Sequence, residues 1–185
     1  MLLSLDISTS ITGYCVFDLT GNIIEIGNII LNKEKDFFKK IDLVKQKLID
    51  LNNDYNLTHV AIEEAFQSFG RGLSSAKTLF TLAKFNGTIQ YIIYTLGLNP
   101  TVINVNNARK LVGIKVDKKS KTNTKDQVLE QVKLRESGIV WPTKVLKGGP
   151  NKGTTVLADG CYDMADAYVI GKAYIIENLG ASKVK

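Results

Sequence analysis

The sequence predicts an α/β domain built on a mixed five-stranded sheet with helices on both faces. Three short β-rich segments lead the chain, a helix-spaced segment follows, and strand-like and helix-like segments then alternate. Leading strands joined by a tight turn pair antiparallel, whereas strands separated by helices pair parallel. The order therefore implies one sheet of mixed direction.

Each element has its own signal. Residues 2–7 form a short apolar run broken by Asp6. Residues 13–18 and 23–30 are further strand candidates, and Leu19-Thr20-Gly21-Asn22 between them is a turn, so the two form a hairpin. Residues 34–51 carry helical spacing at Phe37, Ile41, Val44, Leu48 and Leu51. A β-rich run at 58–63 precedes a long helix over 74–97 that is apolar on more than one face. A strand over 101–105, a short helix near 106–112, a helix over 123–135 and a last helix over 160–178 complete the order, with Asp159 placed to cap the last. Residues 115–124 and 143–157 read as loose, the second as a basic, glycine-rich mobile surface loop. No repeat or boundary divides the chain, so residues 1–185 are expected to form a single domain.

With 185 residues, 44% hydrophobic and 23% charged, the chain can bury a real core, which excludes disorder along its whole length. No apolar run approaches a membrane span, and the start lacks the basic region of a signal peptide. The expected location is the cytoplasm or nucleoid. Cys15 and Cys161 match no metal spacing and are expected to be free, buried thiols without a disulfide. His59 is the single histidine and has no zinc-binding partners in sequence.

The net charge is +6, and it is unevenly spread. Residues 109–153 hold twelve Lys/Arg against four acids, a net +8, which leaves −2 for the rest. A basic patch on a near-neutral body is the footprint of a polyanion binder.

Four acids sit where acids are unusual. Asp6 ends the first apolar strand and Glu63 ends the fourth, while Asp163 and Asp166 lie three apart on the last helix and share a face. Strand ends and a helix face converge at one edge of a sheet. Carboxylates gathered there repel unless a divalent metal sits among them, and hard oxygen ligands suit Mg²⁺ or Mn²⁺. A pair of such ions suits phosphoryl displacement. Plainer roles also exist: Asp6 could start a turn into Ser8-Thr9-Ser10, and Asp163 could simply favour the helix N-terminus. Of Glu63 and Glu64, strand alternation sends one away from the site.

Leu5-Asp6-Ile7-Ser8-Thr9-Ser10-Ile11-Thr12-Gly13-Tyr14 resembles the first motif of the RuvC-type Holliday junction resolvases. Ala61-Ile62-Glu63-Glu64-Ala65-Phe66 is similar to the second, and Asp163-Met164-Ala165-Asp166-Ala167-Tyr168 to the third. The order and spacing match over nearly the whole chain, and the short, lysine-rich sequence looks most like the phage branch. The resemblance implies an RNase H-like fold and a homodimer. It also implies Mg²⁺-dependent nicking of two opposing strands at a four-way DNA junction, in recombination and repair. It makes Asp6, Glu63, Asp163 and Asp166 the ligands of two ions, with Mn²⁺ able to substitute.

By the same resemblance Lys125 is an active-site lysine, and either Arg109 or Lys110 takes a second basic position. Phe66, or its neighbour Phe69, stacks on bases near the crossover, a contact worth roughly 1–3 kcal/mol. Lys118, Lys119, Lys121, Lys144, Lys147 and Lys152 are the remaining candidates for DNA contact, because the segments that hold them look longer and more basic than in cellular members. Nothing implies a host branch-migration motor as partner. The 74–97 helix has too much apolar surface for one packed face, and Gly87 would permit close approach, so it is the expected dimer contact. Two other functions fit parts of the pattern: an RNase H-like nuclease acting on RNA or RNA–DNA hybrid, and a non-catalytic branched-DNA-binding protein.

Overall fold

A computed structural model of the chain describes residues 1–64 and 76–180. The elements run β1 (Leu2–Asp6), β2 (Ile11–Phe17), β3 (Ile23–Ile30), α1 (Phe37–Tyr55), β4 (His59–Glu63), α2 (Ala76–Thr95), β5 (Pro100–Ile103), α3 (Val105–Val112), α4 (Thr124–Arg135), β6 (Thr143–Val145), β7 (Thr155–Leu157) and α5 (Cys161–Asn178). The main sheet has five strands in the order β3-β2-β1-β4-β5. β1 pairs antiparallel with β2 and parallel with β4, β2 pairs antiparallel with β3, and β4 pairs parallel with β5. This is the mixed sheet expected from the sequence.

β1 is central because its five residues are buried on both faces. Leu3 and Leu5 join Val60 and Ile62 of β4, Ile41, Val44, Leu48 and Leu51 of α1, and Phe85, Ile89 and Ile93 of α2 in one core. Leu2 and Ala61 face the other way, into a second core with α3, α4 and α5. The period of two then decides where the acids go: Asp6 lies on the face of Leu2, and Glu63 on the face of Ala61, both toward α5. Truncating one of the fully buried leucines to alanine costs about 2–5 kcal/mol.

α5 lies closely on the sheet, and small residues make this possible. A Cβ at Gly13 would collide with the carbonyl of Asp163, and one at Gly171 would meet the Phe17 ring and Ser4 Oγ. Ser4, the one neutral polar residue of β1, donates from Oγ to the Ala167 carbonyl at 2.7 Å. β1, β2 and α5 are thereby held in one register, which positions the start of α5 over the end of β1.

Three local readings from sequence change. Residues 115–122 are strapped to α4 by two glutamines rather than loose. Gln131 pairs with the N–H (2.9 Å) and carbonyl (2.6 Å) of Lys115, and Gln127 pairs with the N–H (2.8 Å) and carbonyl (3.0 Å) of Asp117. Residues 143–157 form the β6–β7 hairpin, extended by hydrogen bonds between Leu146 and Gly153–Thr154, with a turn from Gly149 to Lys152. The last helix is capped by Gly160 in a left-handed conformation (φ 94°) without a side-chain cap bond. Asp159 instead accepts from Lys144 Nζ at 2.6 Å.

Cys15 and Cys161 are free and buried, and His59 opens β4, as expected. No helix among the described residues is long and apolar enough to cross a membrane.

Candidate active site

At the C-terminal ends of β1 and β4, Asp6, Glu63, Asp163 and Asp166 line one cleft of about 370 Å³, together with Arg109 and Lys125. Adjacent strands place the first two: Leu5 pairs with Ile62, so Asp6 and Glu63 follow at neighbouring positions. Asp163 and Asp166 arrive on the first turns of α5. The hydrogen bonds that shape the β1–β2 loop come from Ser8 and Thr12 rather than from Asp6. Thr12 Oγ1 donates to the Ser8 carbonyl at 3.0 Å, and Ser8 Oγ accepts from the Ser10 N–H at 3.2 Å.

The electrostatics are those of crowded acids. Asp6 is only 8% exposed. Burial first, then the nearby charges of Glu63, Asp166 and Asp163, push its carboxyl well above the usual range. The hydrogen bond between Asp6 and Glu63 raises Asp6 further and offsets part of the rise on Glu63. Glu63 and Asp163 are also raised, chiefly by burial. Two cations limit the repulsion: an Arg109 guanidinium nitrogen bonds Asp166 at 2.9 Å, and Lys125 Nζ lies 3.7 Å from Asp163. Arg109 is mostly buried, and its Nε has no hydrogen-bond partner among the described residues. Lys110, the alternative for this position, is exposed and lines an adjoining pocket instead. Alternation does not send Glu64 away from the site: it lies just past the end of β4, also borders the cleft, and accepts from Asn104 Nδ2 at 3.0 Å.

Asn86 of α2 was not singled out by sequence. It is buried, borders the cleft, and donates to the Glu63 carbonyl at 3.3 Å while its own carbonyl accepts from Gln90. A lone asparagine in an apolar helix was the signal available.

Among the described residues, no group of three or more His, Cys, Asp or Glu could hold a metal ion as the side chains stand. The donor set nonetheless fits a hard divalent ion. Buried carboxyls that resist ionising one beside another gain most from a cation between them, and carboxylate oxygens are the donors Mg²⁺ and Mn²⁺ prefer.

The other candidates fall into two groups. Lys118, Lys119 and Lys121 are exposed on the strap after α3. Lys147 and Lys152 are exposed at the hairpin tip, and Lys144 is at its base. Phe66 and Phe69 lie outside the described residues. On α2, Phe80, Tyr91 and Tyr94 are 63%, 66% and 64% exposed, and they share a stripe with exposed Ala83 and Gly87.

The fold is that of the RuvC-type resolvases, an RNase H-like α/β arrangement. Thermus thermophilus RuvC in complex with a Holliday junction substrate matches over 98% of both chains at 13% identity, with a TM-score of 0.65. A second Thermus thermophilus RuvC structure also covers 98% of both chains at 13% identity, with a TM-score of 0.60. The yeast mitochondrial Holliday junction resolvase Ydc2 matches 94% of this chain and 77% of its own at 16% identity, with a TM-score of 0.57. No curated protein matches the sequence. A family model described as Lactococcus phage M3 protein (DUF3882) matches residues 1–144, and the chain belongs to that family.

Proposed function

We propose that the protein is a Mg²⁺-dependent, structure-selective endonuclease that resolves four-way and other branched DNA by symmetric paired nicking. The observation that carries this reading is the cleft itself: Asp6, Glu63, Asp163 and Asp166 gathered with Arg109 and Lys125 from β1, β4, α3, α4 and α5 at one end of the sheet. The likeness of fold to resolvases, one of them bound to a Holliday junction, supports the choice of substrate. The +8 segment at 109–153 supports a polyanion.

Asp6, Glu63, Asp163 and Asp166 would hold the divalent ions. Such ions supply charge neutralisation at the phosphate and a lowered pKa for water. The chain's own groups do the rest. Asp6 and Glu63, fixed on neighbouring strands, set the position of the reacting phosphate relative to the sheet. One of Asp163 and Asp166 orients the attacking water. Lys125, at the start of α4, faces the charge that develops on the phosphate oxygens. Arg109 balances Asp166 and limits the repulsion among the gathered carboxylates.

Paired nicks need paired sites. The exposed stripe Phe80, Ala83, Gly87, Tyr91 and Tyr94 on α2 supports a two-fold contact there, with the single domain of residues 1–185 as the repeating unit. Asn86, one step from that stripe, links α2 to Glu63.

The test is cleavage of a strand-labelled four-way junction in Mg²⁺ beside a linear duplex of the same sequence. Symmetric nicks near the crossover with the duplex intact are expected. Cleavage confined to RNA or hybrid, or binding without cleavage in Mg²⁺ and Mn²⁺, would overturn the reading.

A further inference from the structure

A second pocket, of about 470 Å³, adjoins the carboxylate cleft. The two share Asn106, Arg109 and Thr124 as a common wall. Lys110, Lys115 and Lys118 rim it, over a floor that includes Gly113 and Ile114. Among the described residues none of these three lysines is in an ion pair, whereas Arg109 and Lys125 are both engaged by acids. Two backbone acceptors beside the pocket are already engaged. The Val112 and Gly113 carbonyls at the end of α3, which would repel an anion, both accept from the Arg135 guanidinium.

The lysines are held on a built frame. Gln131 grips both polar backbone groups of Lys115, and Gln127 does the same for Asp117 while also donating to the Thr122 carbonyl at 2.7 Å. The Asp117 carboxylate is engaged locally, accepting from the Lys119 N–H at 2.8 Å. A backbone fixed in this way carries its cations at defined positions, which lowers the entropy cost of meeting an anion.

We propose that this pocket is a second strand-binding subsite, which takes a phosphodiester neighbouring the one placed in the carboxylate cleft, on the same DNA strand. The inference rests on reading that cleft as the nuclease site. Cations without partners recognise the phosphate, and the aliphatic floor at Ile114 suits the sugar beside it. The subsite fixes the path of the cut strand along α3, away from the hairpin lysines.

Phosphate-ethylation interference on a four-way junction, read without Mg²⁺, tests this. The full chain is compared with three variants: K110Q/K115Q/K118Q, Q127L/Q131L and, as comparator, K147Q/K152Q. The intact protein should show interference at a phosphate adjacent to the cut. The lysine and glutamine variants should both lose that signal, and the comparator should keep it. The lysine variant should also bind several-fold more weakly at about 0.1 M salt, with a salt slope reduced by about 1 for the one phosphate lost. The glutamine variant retains every lysine, so a diffuse charge effect would leave its footprint intact. Persistence of the adjacent signal in the lysine variant overturns the subsite while the nuclease reading stands. A junction neither bound nor cut by the intact protein overturns both.

Discussion

The carboxylate cleft and the basic segment at 109–153 are built in opposite ways. The cleft draws Asp6, Glu63, Asp163 and Asp166 from three distant parts of the chain, and the sheet and α5 bring them together. Asp6, Glu63 and Asp163 are largely buried, and their proton affinities are raised chiefly by that burial and further by neighbouring acids. The basic segment is nearly contiguous in sequence. Its lysines are exposed, and local devices hold them: a glutamine-tied strap and a three-residue-stranded hairpin. Chemistry at a phosphate requires positions fixed to fractions of an ångström, which a packed core provides. Holding a long polyanion requires charge over an area, which surface loops provide.

The contrast can be broken most sharply at the cleft. Glu63→Gln and Asp166→Asn should each lower junction cleavage by at least ~10³-fold, since a metal-ligand loss removes several kcal/mol of transition-state stabilisation. Junction affinity, read by gel shift without divalent ions, should stay within about threefold, because removing an acid near DNA does not weaken phosphate contact. Lys125→Gln should cost about 10²-fold in single-turnover rate, with a smaller change in affinity. If its effect lies wholly in affinity, Lys125 belongs with the surface lysines.

The next effect concerns assembly. Nothing lies within 4 Å of a Cβ built at Gly87, so Gly87→Arg should leave the fold intact while placing a charge on the exposed α2 stripe. Sedimentation should then show a shift from dimer to monomer, and the two nicks should lose their pairing. A variant that remains dimeric would move the interface elsewhere. On the basic side, Lys147→Gln with Lys152→Gln should weaken junction binding by a few-fold and reduce the salt slope by about 2, without a change in the cut position.

The smallest effect is on stability. The Asp6 carboxyl is raised in the folded protein, so its contribution is favourable below its unfolded pKa and is lost as pH rises through the folded value. The metal-free protein should therefore lose stability with rising pH, and Asp6→Asn should remove part of that dependence. Thermal melts at pH 5 and pH 8 should show the variant gaining a few degrees over the parent at the higher pH. An identical pH dependence in both would mean that Asp6 ionises freely.

Period and placement made the sheet and the acids legible in the sequence. Two-residue alternation put Asp6 and Glu63 at apolar strand ends, and a spacing of three put Asp163 and Asp166 on one helix face. The same reading left Arg109 and Lys110 unresolved, because adjacent helix positions differ by about 100° and only packing shows which one turns inward. The strap and the hairpin were hidden for a different reason. They depend on side-chain amides bonding to backbone and on exposed three-residue strands, neither of which leaves an apolar period. Local preference favours Asp159 as a helix cap, but in the fold Gly160 takes the cap position and Asp159 pairs with Lys144.

The most direct measurement is single-turnover cleavage of a saturating, strand-labelled four-way junction in Mg²⁺ by the intact protein and by Asp6→Asn, with affinities determined in parallel. The account predicts symmetric paired nicks by the intact protein, and tight binding with no nicks by the variant. Equal cleavage by both proteins would contradict it, because the buried carboxylate at the centre of the cleft would then have no part in the reaction.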